Sequence, residues 1–201
     1  PNDPSERHEI HLAGLPHAGV MTDHMFLNRF PTTATNRNRN RSRMIWRFFL
    51  ATDVLALAEQ PIDPTQIVDH NPTLFNPQCT VCHDIVDPVA GAFQNWAANG
   101  RYQPPDDGWF GSMLPPGFGD ESIPASQHGS SLAWLAERIA SDARFATSTV
   151  HFAFRMLTGA EPLSLPSELD DSIQSDEQLA ARMTAYEQQS GELAALAQEF
   201  V

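Results

Sequence analysis

Residues 79–83 read Cys79-Thr80-Val81-Cys82-His83, which places two thiols three positions apart and an imidazole directly after the second thiol. The stretch DIVDPVAGAFQNWAANG follows as residues 84–100. Within it Asp87 suits a helix N-cap, Pro88 suits the first helical position and Gly100 suits the C-cap. We therefore expect a helix that begins at Pro88, closely downstream of the imidazole.

Upstream of this stretch the chain is predicted to be loop followed by one helix. Residues 43–59 (RMIWRFFLATDVLALAE) have the apolar pattern of a helix, and Pro61 and Pro64 are expected to end it. Residues 1–42 are mostly loop, with a short helical turn near 21–29. The connector between this helix and the motif is rich in Pro and Asn.

Downstream, a long loop rich in Pro and Gly is predicted over residues 101–129. Further helical segments are predicted at 131–145, 148–158, 167–173, 176–189 and 191–201. No convincing set of alternating strands is found, so the expected fold class is all-α. We divide the chain into a domain at 1–130, which holds the motif and the long loops, and a helical domain at 131–201. The second domain is expected to continue past Val201.

Composition excludes several classes of partner. The 201 residues include 25 acidic side chains and 12 basic ones, all of them Arg, which gives a formal net charge of −13. Such a surface repels nucleic acid and anionic membranes, so neither is an expected partner. No run of about 18 apolar residues is present, so no segment of this sequence is expected to span a membrane.

The spacing of the two cysteines and the histidine is typical of c-type haem attachment. Two thiols three positions apart reach the two vinyl groups on one edge of a porphyrin, and the imidazole that follows reaches the iron. Cys79 and Cys82 are the expected attachment points of one haem c, with His83 as an axial ligand. Three alternatives stay open: a zinc site, although the chain has no third cysteine; a thioredoxin-like redox pair; and a disulfide.

Side chains near the motif are predicted to enclose the haem. Phe93 and Trp96 fall on one face of the predicted helix and are expected to form an apolar wall. A basic segment places Arg at alternate positions from Arg37 to Arg43. Because Arg binds carboxylates and haem carries two propionates, Arg43 is the candidate to neutralise a propionate. The alternative is a solvated loop whose arginines pair with acidic residues elsewhere.

A second axial ligand is expected, because electron carriers usually occupy both axial positions of the iron. Met113 is the first candidate, since it lies in a Met-Leu-Pro-Pro segment between the motif and the helix predicted at 131–145. This order of attachment motif, Met-Pro loop and closing helix resembles that of small class I cytochromes c. His128 and His24 are the alternative ligands. Met113 could instead be a loop methionine that packs on apolar surface.

The sequence also resembles a family. One similar segment is HAGVMT at residues 17–22, with Phe26 and Leu27 after it. The motif is followed by further similar residues, namely Asp87-Pro88, Gly91, Phe93 and Gly100-Arg101. A later set resembles a closing helical domain, namely Leu132-Ala133, Phe145 and Gly159. Together they resemble the C-terminal part of large planctomycete-type cytochrome c-like proteins of unknown function, over residues 14–201. The resemblance implies a haem domain for electron transfer at the cell surface or in the periplasm.

The function expected from these features is electron transfer through one covalently bound haem c. The chain would act as a domain or subunit of a larger periplasmic or cell-surface protein, since this kind of haem attachment takes place outside the cytoplasm. Its expected partners are redox proteins, together with other subunits of a larger complex, and no catalytic residue is assigned. Two alternatives are a haem enzyme of the peroxidase or oxidase type with an open distal site, and a structural subunit of a haem-containing assembly.

Overall fold

The computed structural model describes residues 14–57, 71–167, 170 and 172–199, and this part of the chain is mostly helical. Seven α-helices are present in it: α1 (His24–Arg29), α2 (Arg39–Phe49), α3 (Pro72–Phe75), α4 (Pro77–Ala92), α5 (Ser131–Ser141), α6 (Ala143–Thr158) and α7 (Asp176–Gln198). Three 3₁₀ turns accompany them, at Gly19–Thr22, Val54–Leu57 and Ala125–Ser130. The prediction of an all-α protein is confirmed for the described residues.

One small hairpin interrupts the long loop before α5. Strands β1 (Gly117–Phe118) and β2 (Glu121–Ser122) pair antiparallel, with Gly117 opposite Ser122. A Cβ at Gly117 would lie 2.3 Å from the carbonyl oxygen of Glu121, so only glycine allows this close pairing. The rest of the loop predicted over 101–129 is irregular apart from the 3₁₀ turn and an isolated bridge between Tyr102 and Trp96.

Polar side chains mark where several helices begin. The side chains of Asp23, Asn76, Asp142 and Ser175 each accept a backbone N–H two or three residues ahead, which satisfies a donor that the helix itself leaves unpaired. At the other end of α6, Gly159 takes a left-handed conformation with φ of 70° and donates to the carbonyl of Arg155.

The main hydrophobic core lies between α1, α2, α4 and α5. Its most deeply buried members are Leu27, Ile45, Leu50, Val89, Phe93, Leu132 and Leu135, and Trp134 also belongs to it. Because α5 supplies three of these side chains, it packs with the first part of the chain. A second, smaller cluster joins α6 and α7 through Ala146, Val150, Leu193 and Ala197. The division into domains at residue 130 stays a prediction.

A fully buried arginine ties this core together. Arg41 of α2 has no exposed surface and donates hydrogen bonds to four backbone carbonyls, those of Leu27, Phe30, Trp96 and Ala97, at 2.7–3.0 Å. Burial lowers the pKa of the Arg41 guanidinium to about 10, so it remains charged at neutral pH. The end of α1 and the segment after α4 are thus joined to one side chain.

The largest correction concerns the helix that carries the motif. It was expected to begin at Pro88 and to end at Gly100, but α4 begins at Pro77, contains Pro88 and ends at Ala92. Asp87 is therefore inside the helix rather than its N-cap. Gly100, with φ of 71°, lies against His24 of α1 and is not a C-cap.

Other helix boundaries also differ from the prediction. The helix expected over 43–59 begins earlier and ends at Phe49, because Leu50 and Ala51 leave helical geometry before the 3₁₀ turn at Val54–Leu57. The expected stop at Pro61 and Pro64 lies outside the described residues.

Boundaries near the C-terminal side shift as well. The break expected between 145 and 148 falls at Asp142, where that carboxylate caps α6. The two segments expected at 176–189 and 191–201 form one helix, α7, through Gly191, and residues 200 and 201 lie outside the described part. The segment 167–173 is not helical where the structure describes it.

Among residues 14–57, 71–167, 170 and 172–199, no helix combines the length and the apolar character that crossing a bilayer requires. The longest helix, α7, is rich in charged and amide side chains.

Candidate functional site

The motif occupies the first two turns of α4. Asn76 caps this helix through its side chain and Pro77 takes the first helical position, so the helix begins just before Cys79. Residues three and four apart lie on one face of a helix, and this spacing relates Cys79 to both Cys82 and His83. Both cysteines are free, Cys79 being buried and Cys82 half-buried. The fold therefore places two thiols and an imidazole on one side of α4.

The second thiol is directed toward the protein. Cys82 packs against the main core, and its sulfur donates a hydrogen bond to the carbonyl oxygen of Val54 at 3.3 Å. Burial, together with the neighbouring Cys79, raises the pKa of the Cys82 thiol. Within the described structure this cysteine is thus a protonated thiol at neutral pH, held near the 3₁₀ turn that follows α2.

His83 is held by a carboxylate one turn further along α4. Its Nδ1 lies 2.9 Å from Oδ1 of Asp87, which is fully buried. Arg39 of α2 donates from Nε to Oδ1 at 2.7 Å and from Nη2 to Oδ2 at 3.0 Å, a bidentate pair. These three side chains form a chain of hydrogen bonds that runs from the surface of α2 to the imidazole.

The charge state of Asp87 follows from its partners. Burial raises the pKa of this carboxyl, but hydrogen bonds from His83 and Arg39 and the positive charge of Arg39 outweigh burial and lower it overall. Asp87 is therefore ionised and accepts hydrogen bonds only. The nitrogen of His83 that faces it therefore carries a hydrogen, and in the neutral ring the lone pair is then on Nε2.

Side chains of α2 also support the backbone of α4 around Asp87. Ser42 donates to the carbonyl of Val86 at 2.7 Å, and Trp46 donates from its indole nitrogen to the carbonyl of Ile85 at 3.1 Å. Pro88 lacks the N–H that would continue the helical ladder at this turn. The helical partner of that missing N–H would be the carbonyl of Asp84, and the two donors from α2 bond to the two carbonyls that follow it.

Arg43 lies one turn beyond Arg39 on the same face of α2. Its Nη2 is 4.0 Å from Oδ1 of Asp53, a weak contact next to Val54, which accepts from the Cys82 thiol. Its Nε is buried and has no hydrogen-bond partner among the described residues. A buried guanidinium N–H without an acceptor is costly, so this position suits a further anion.

Met113 is buried in the loop between α4 and α5. It lies along an open apolar depression of about 590 Å³, a size within the usual range of about 300–1,000 Å³ for ligand sites. The depression is lined by Leu74, Phe75, Trp109, Phe110, Gly111, Met113, Leu114, Pro115 and Pro116. Within the described chain the three motif residues are not part of this lining, so the structure does not bring Met113 and His83 together in one cavity.

Both walls of the depression nevertheless pack against α4. Leu74 and Phe75 belong to α3, which directly precedes α4 and packs on it. On the opposite side Pro116 touches Gly91, where a Cβ would lie 2.6 Å from the proline ring. The loop is also anchored to the segment before α2, because Arg37 donates to the Ser112 hydroxyl at 2.6 Å. Met113 is thus in a restrained loop beside the helix that carries the motif.

The aromatic residues expected to line a haem are part of the protein core. Phe93 ends α4, is fully buried and stacks on Phe26 with ring centroids 6.3 Å apart. Trp96 packs edge-on against Tyr102 at 5.4 Å. Both side chains contact other elements of the protein, and their role as a haem wall stays a prediction.

The alternative ligands lie toward the C-terminal end of α4, away from the motif. His24 is exposed in α1, with Nε2 2.7 Å from the side-chain nitrogen of Asn28, and it lies beside Gly100. His128 is exposed in the 3₁₀ turn before α5, and its carbonyl accepts a hydrogen bond from Asn95. Neither imidazole is placed next to His83 by these contacts.

Sequence reasoning missed Asp87 and Arg39 as members of the site. The signal was present, because His83 and Asp87 are four residues apart, the spacing that brings side chains together on a helix. It was overlooked because Pro88 was interpreted as the start of a helix, which left His83 outside it. The partner Arg39 lies far away in sequence and could be found only from the packing of α2 on α4.

The motif and Arg43 offer several donors to a cofactor. Within the described residues no group of three or more His, Cys, Asp or Glu side chains is arranged to hold a metal ion. Two free thiols, an imidazole with its Nδ1 already engaged and an Arg43 Nε without a partner among these residues would suit the vinyl groups, the iron and a propionate of a haem. Comparisons of this chain with protein families, with curated proteins and with solved structures find no match.

Proposed function

We propose that this chain transfers electrons through one haem c, bound covalently by Cys79 and Cys82 and ligated by His83. The observation that carries the proposal is the arrangement on α4: two free thiols and a histidine share one face, and a buried carboxylate holds the histidine's Nδ1. Metal-ligating histidines characteristically donate their other ring N–H to such a partner. A haem supplies reversible one-electron chemistry at its iron.

The two thiols would hold the haem as thioethers. Adding each S–H across a vinyl C=C bond would place the sulfur on one carbon and the hydrogen on the other, so no oxidant would be needed. The Cys82 thiol must give up its hydrogen bond to the carbonyl of Val54 when this thioether forms. Attachment therefore requires a local rearrangement next to the 3₁₀ turn at Val54–Leu57.

Other side chains complete the proposed site. Arg43, whose Nε lacks a partner among the described residues, is the proposed contact to a propionate. Met113 is the proposed second axial ligand, because it is buried in a restrained loop whose apolar depression flanks α4. Ligation by Met raises the reduction potential relative to His. Phe93 and Trp96 would keep the protein side of the ring apolar.

The proposed architecture is that of a cytochrome c-like haem domain. Its order along the chain is the motif on α4, the loop that carries Met113 and the closing helix α5. A domain at 1–130 and a helical domain at 131–201 are part of the same proposal. The proposed location is periplasmic or at the cell surface, with redox proteins and subunits of a larger complex as partners.

The decisive experiment is expression of the full chain in cells with an active cytochrome c maturation system. We expect the intact mass to increase by one haem, and the reduced protein to show the sharp visible bands of a six-coordinate haem c. The variant Cys79→Ser/Cys82→Ser should lose the added mass and the colour. Val81→Ala, at the exposed position between the cysteines, serves as the matched control and should retain both. A colourless wild type without the mass increase contradicts the proposal.

A second experiment tests the distal ligand. Met113→Ala should change the visible spectrum and lower the reduction potential, because the iron loses a thioether ligand. Met44→Ala removes another buried methionine, one that belongs to the main core, and should leave the spectrum unchanged. If the Met113→Ala spectrum equals that of the wild type, Met113 is not the ligand.

A haem enzyme with an open distal position is the second candidate function. The contact between His83 and Asp87 favours it, because a carboxylate on the ligand's far nitrogen increases electron donation to the iron. A five-coordinate spectrum of the ferric wild type would support this enzyme, whereas a six-coordinate low-spin spectrum supports the electron carrier.

A further inference from the structure

We propose that Asp87 and Arg39 act together as a positioning pair that fixes the ring orientation and the tautomer of His83, and so set the reduction potential of the iron that His83 ligates. The inference rests on the proposed function for its effect on the potential. The contact itself belongs to the protein and can be measured without the cofactor.

The orientation of the ring follows from helix geometry. His83 and Asp87 are four residues apart in α4, so their side chains meet on one face, with Nδ1 and Oδ1 2.9 Å apart. A carboxylate accepts but does not donate, so Nδ1 carries the hydrogen and Nε2 keeps the lone pair that an iron requires. The helix thus selects both the tautomer and the direction of the ring.

The carboxylate keeps its own position because Arg39 binds both of its oxygens. The bonds from Arg39 to Asp87 are 2.7 and 3.0 Å long, and Asp87 has no exposed surface. A buried charge of this kind needs a paired cation, and the bidentate geometry also prevents rotation of the carboxylate. Arg39 is partly exposed, with 23% of its side-chain surface accessible, so the chain of hydrogen bonds ends at solvent.

The two residues should affect the potential in opposite directions. A carboxylate hydrogen-bonded to Nδ1 increases electron donation by the imidazole and favours the oxidised iron. Asp87→Asn keeps an oxygen acceptor of similar size but removes the charge, so it should shift the midpoint potential to more positive values. Arg39→Gln removes the cation that offsets Asp87, so it should shift the midpoint potential to more negative values.

A matched control is available in the same chain. Asp142 also binds an arginine through both oxygens, with Arg144 at 2.6 and 2.8 Å, but no histidine accompanies this pair. Asp142→Asn therefore makes the same change in charge and breaks a similar ion pair. It should leave the midpoint potential unchanged.

The experiment measures midpoint potentials of the haem-bearing wild type and the three variants. We expect a positive shift for Asp87→Asn, a negative shift for Arg39→Gln and none for Asp142→Asn. Asp87→Asn could fail to accumulate as folded protein. In that case the midpoint potential of Arg39→Gln, which alters a partly exposed residue, tests the inference by itself. Potentials that match the wild type in every variant that folds would overturn the inference.

A measurement on the full chain without haem separates this inference from the proposed function. Nitrogen-15 NMR of the wild type should show His83 with hydrogen on Nδ1, and Asp87→Asn should show a mixture of tautomers. If the wild type shows this tautomer but never acquires haem, the contact between His83 and Asp87 is supported and the electron-transfer proposal is contradicted. A neutral His83 ring with its hydrogen on Nε2 and none on Nδ1 overturns the positioning role even if haem is attached.

Discussion

The body built around α2 and α4 and the hairpin formed by α6 and α7 bury very different side chains. The first encloses large apolar residues and two charged ones, Arg41 and Asp87, each fully buried and fully hydrogen-bonded. The second encloses four small or medium apolar residues, the set Ala146, Val150, Leu193 and Ala197. Among the described residues of these two regions, only the first encloses charged side chains.

The hairpin of α6 and α7 also leaves apolar side chains exposed to solvent. Phe152, Met156 and Leu157 of α6 are 57%, 71% and 87% exposed, so most of that helix's larger apolar side chains do not contribute to a core. Burial of apolar surface has no direction, whereas a buried charge must meet particular partners at particular distances. The comparison teaches that the polar groups enclosed between α2 and α4, rather than the amount of apolar burial, specify where His83 points.

The two regions are expected to differ most in how much the free energy of unfolding depends on one arginine. Arg41→Met should lower the free energy of unfolding by about 3–5 kcal/mol, because several buried carbonyls lose their donor. Arg182→Met in α7, which breaks an exposed contact to Asp170, should change it by less than about 0.5 kcal/mol. Urea unfolding followed by circular dichroism measures both, and a loss below about 1 kcal/mol for Arg41→Met would contradict this account.

Truncating one leucine in each region compares the two apolar cores. Leu135→Ala, at a fully buried position of α5, should cost about 2–5 kcal/mol because a cavity remains. Leu193→Ala in α7 should cost only about 1–2 kcal/mol, because the small cluster loses area but can close. The same urea measurements apply. Equal losses at the two sites would show that the hairpin is as tightly packed as the main core.

The third expected effect is a smaller loss of stability than either leucine truncation causes, is pH-dependent and lies where the two regions join. Hydrogen bonds from Arg144 lower the pKa of Asp142, so its contribution to stability is present above the unfolded value of about 3.9 and is lost as pH falls through the folded value. Asp142→Asn keeps the N-cap acceptor but loses the charge, and should cost about 0.5–1 kcal/mol at neutral pH. Unfolding curves at about pH 2 and about pH 7 test this, since the difference from the wild type should vanish in acid.

Sequence patterns located most helices correctly because residues close together in the chain determine where those helices form. The apolar spacing of α5 and α6 and the stop at Gly159 depend on neighbouring residues alone. The break between α5 and α6 was misplaced by a few residues, since the capping role of Asp142 was not recognised. The sequence predicts separate segments at 176–189 and 191–201, but α7 continues through Gly191, since one glycine costs only about 1 kcal/mol, which a long helix tolerates.

Only part of the candidate site could be predicted from the sequence. Spacing predicts Cys79, Cys82 and His83, and a place in the basic segment predicts Arg43; their shared role stays a prediction. The positions of Met113, His24 and His128 relative to His83 depend on long-range packing, which spacing does not encode. Asp87 was seen, but in the wrong role.

The sequence by itself determined the helical class, the order of thiols and imidazole and the left-handed turn at Gly159, because each depends on residues within a few positions of one another. Only the tertiary structure decided that α4 continues through Pro88. In isolation a proline removes a hydrogen bond and ends or bends a helix. Here Ser42 and Trp46 of α2 donate to the carbonyls of Val86 and Ile85, so packing on α2 holds the turn before the proline in place. That continuity brings Asp87 to His83, and the neighbouring helix adds Arg39.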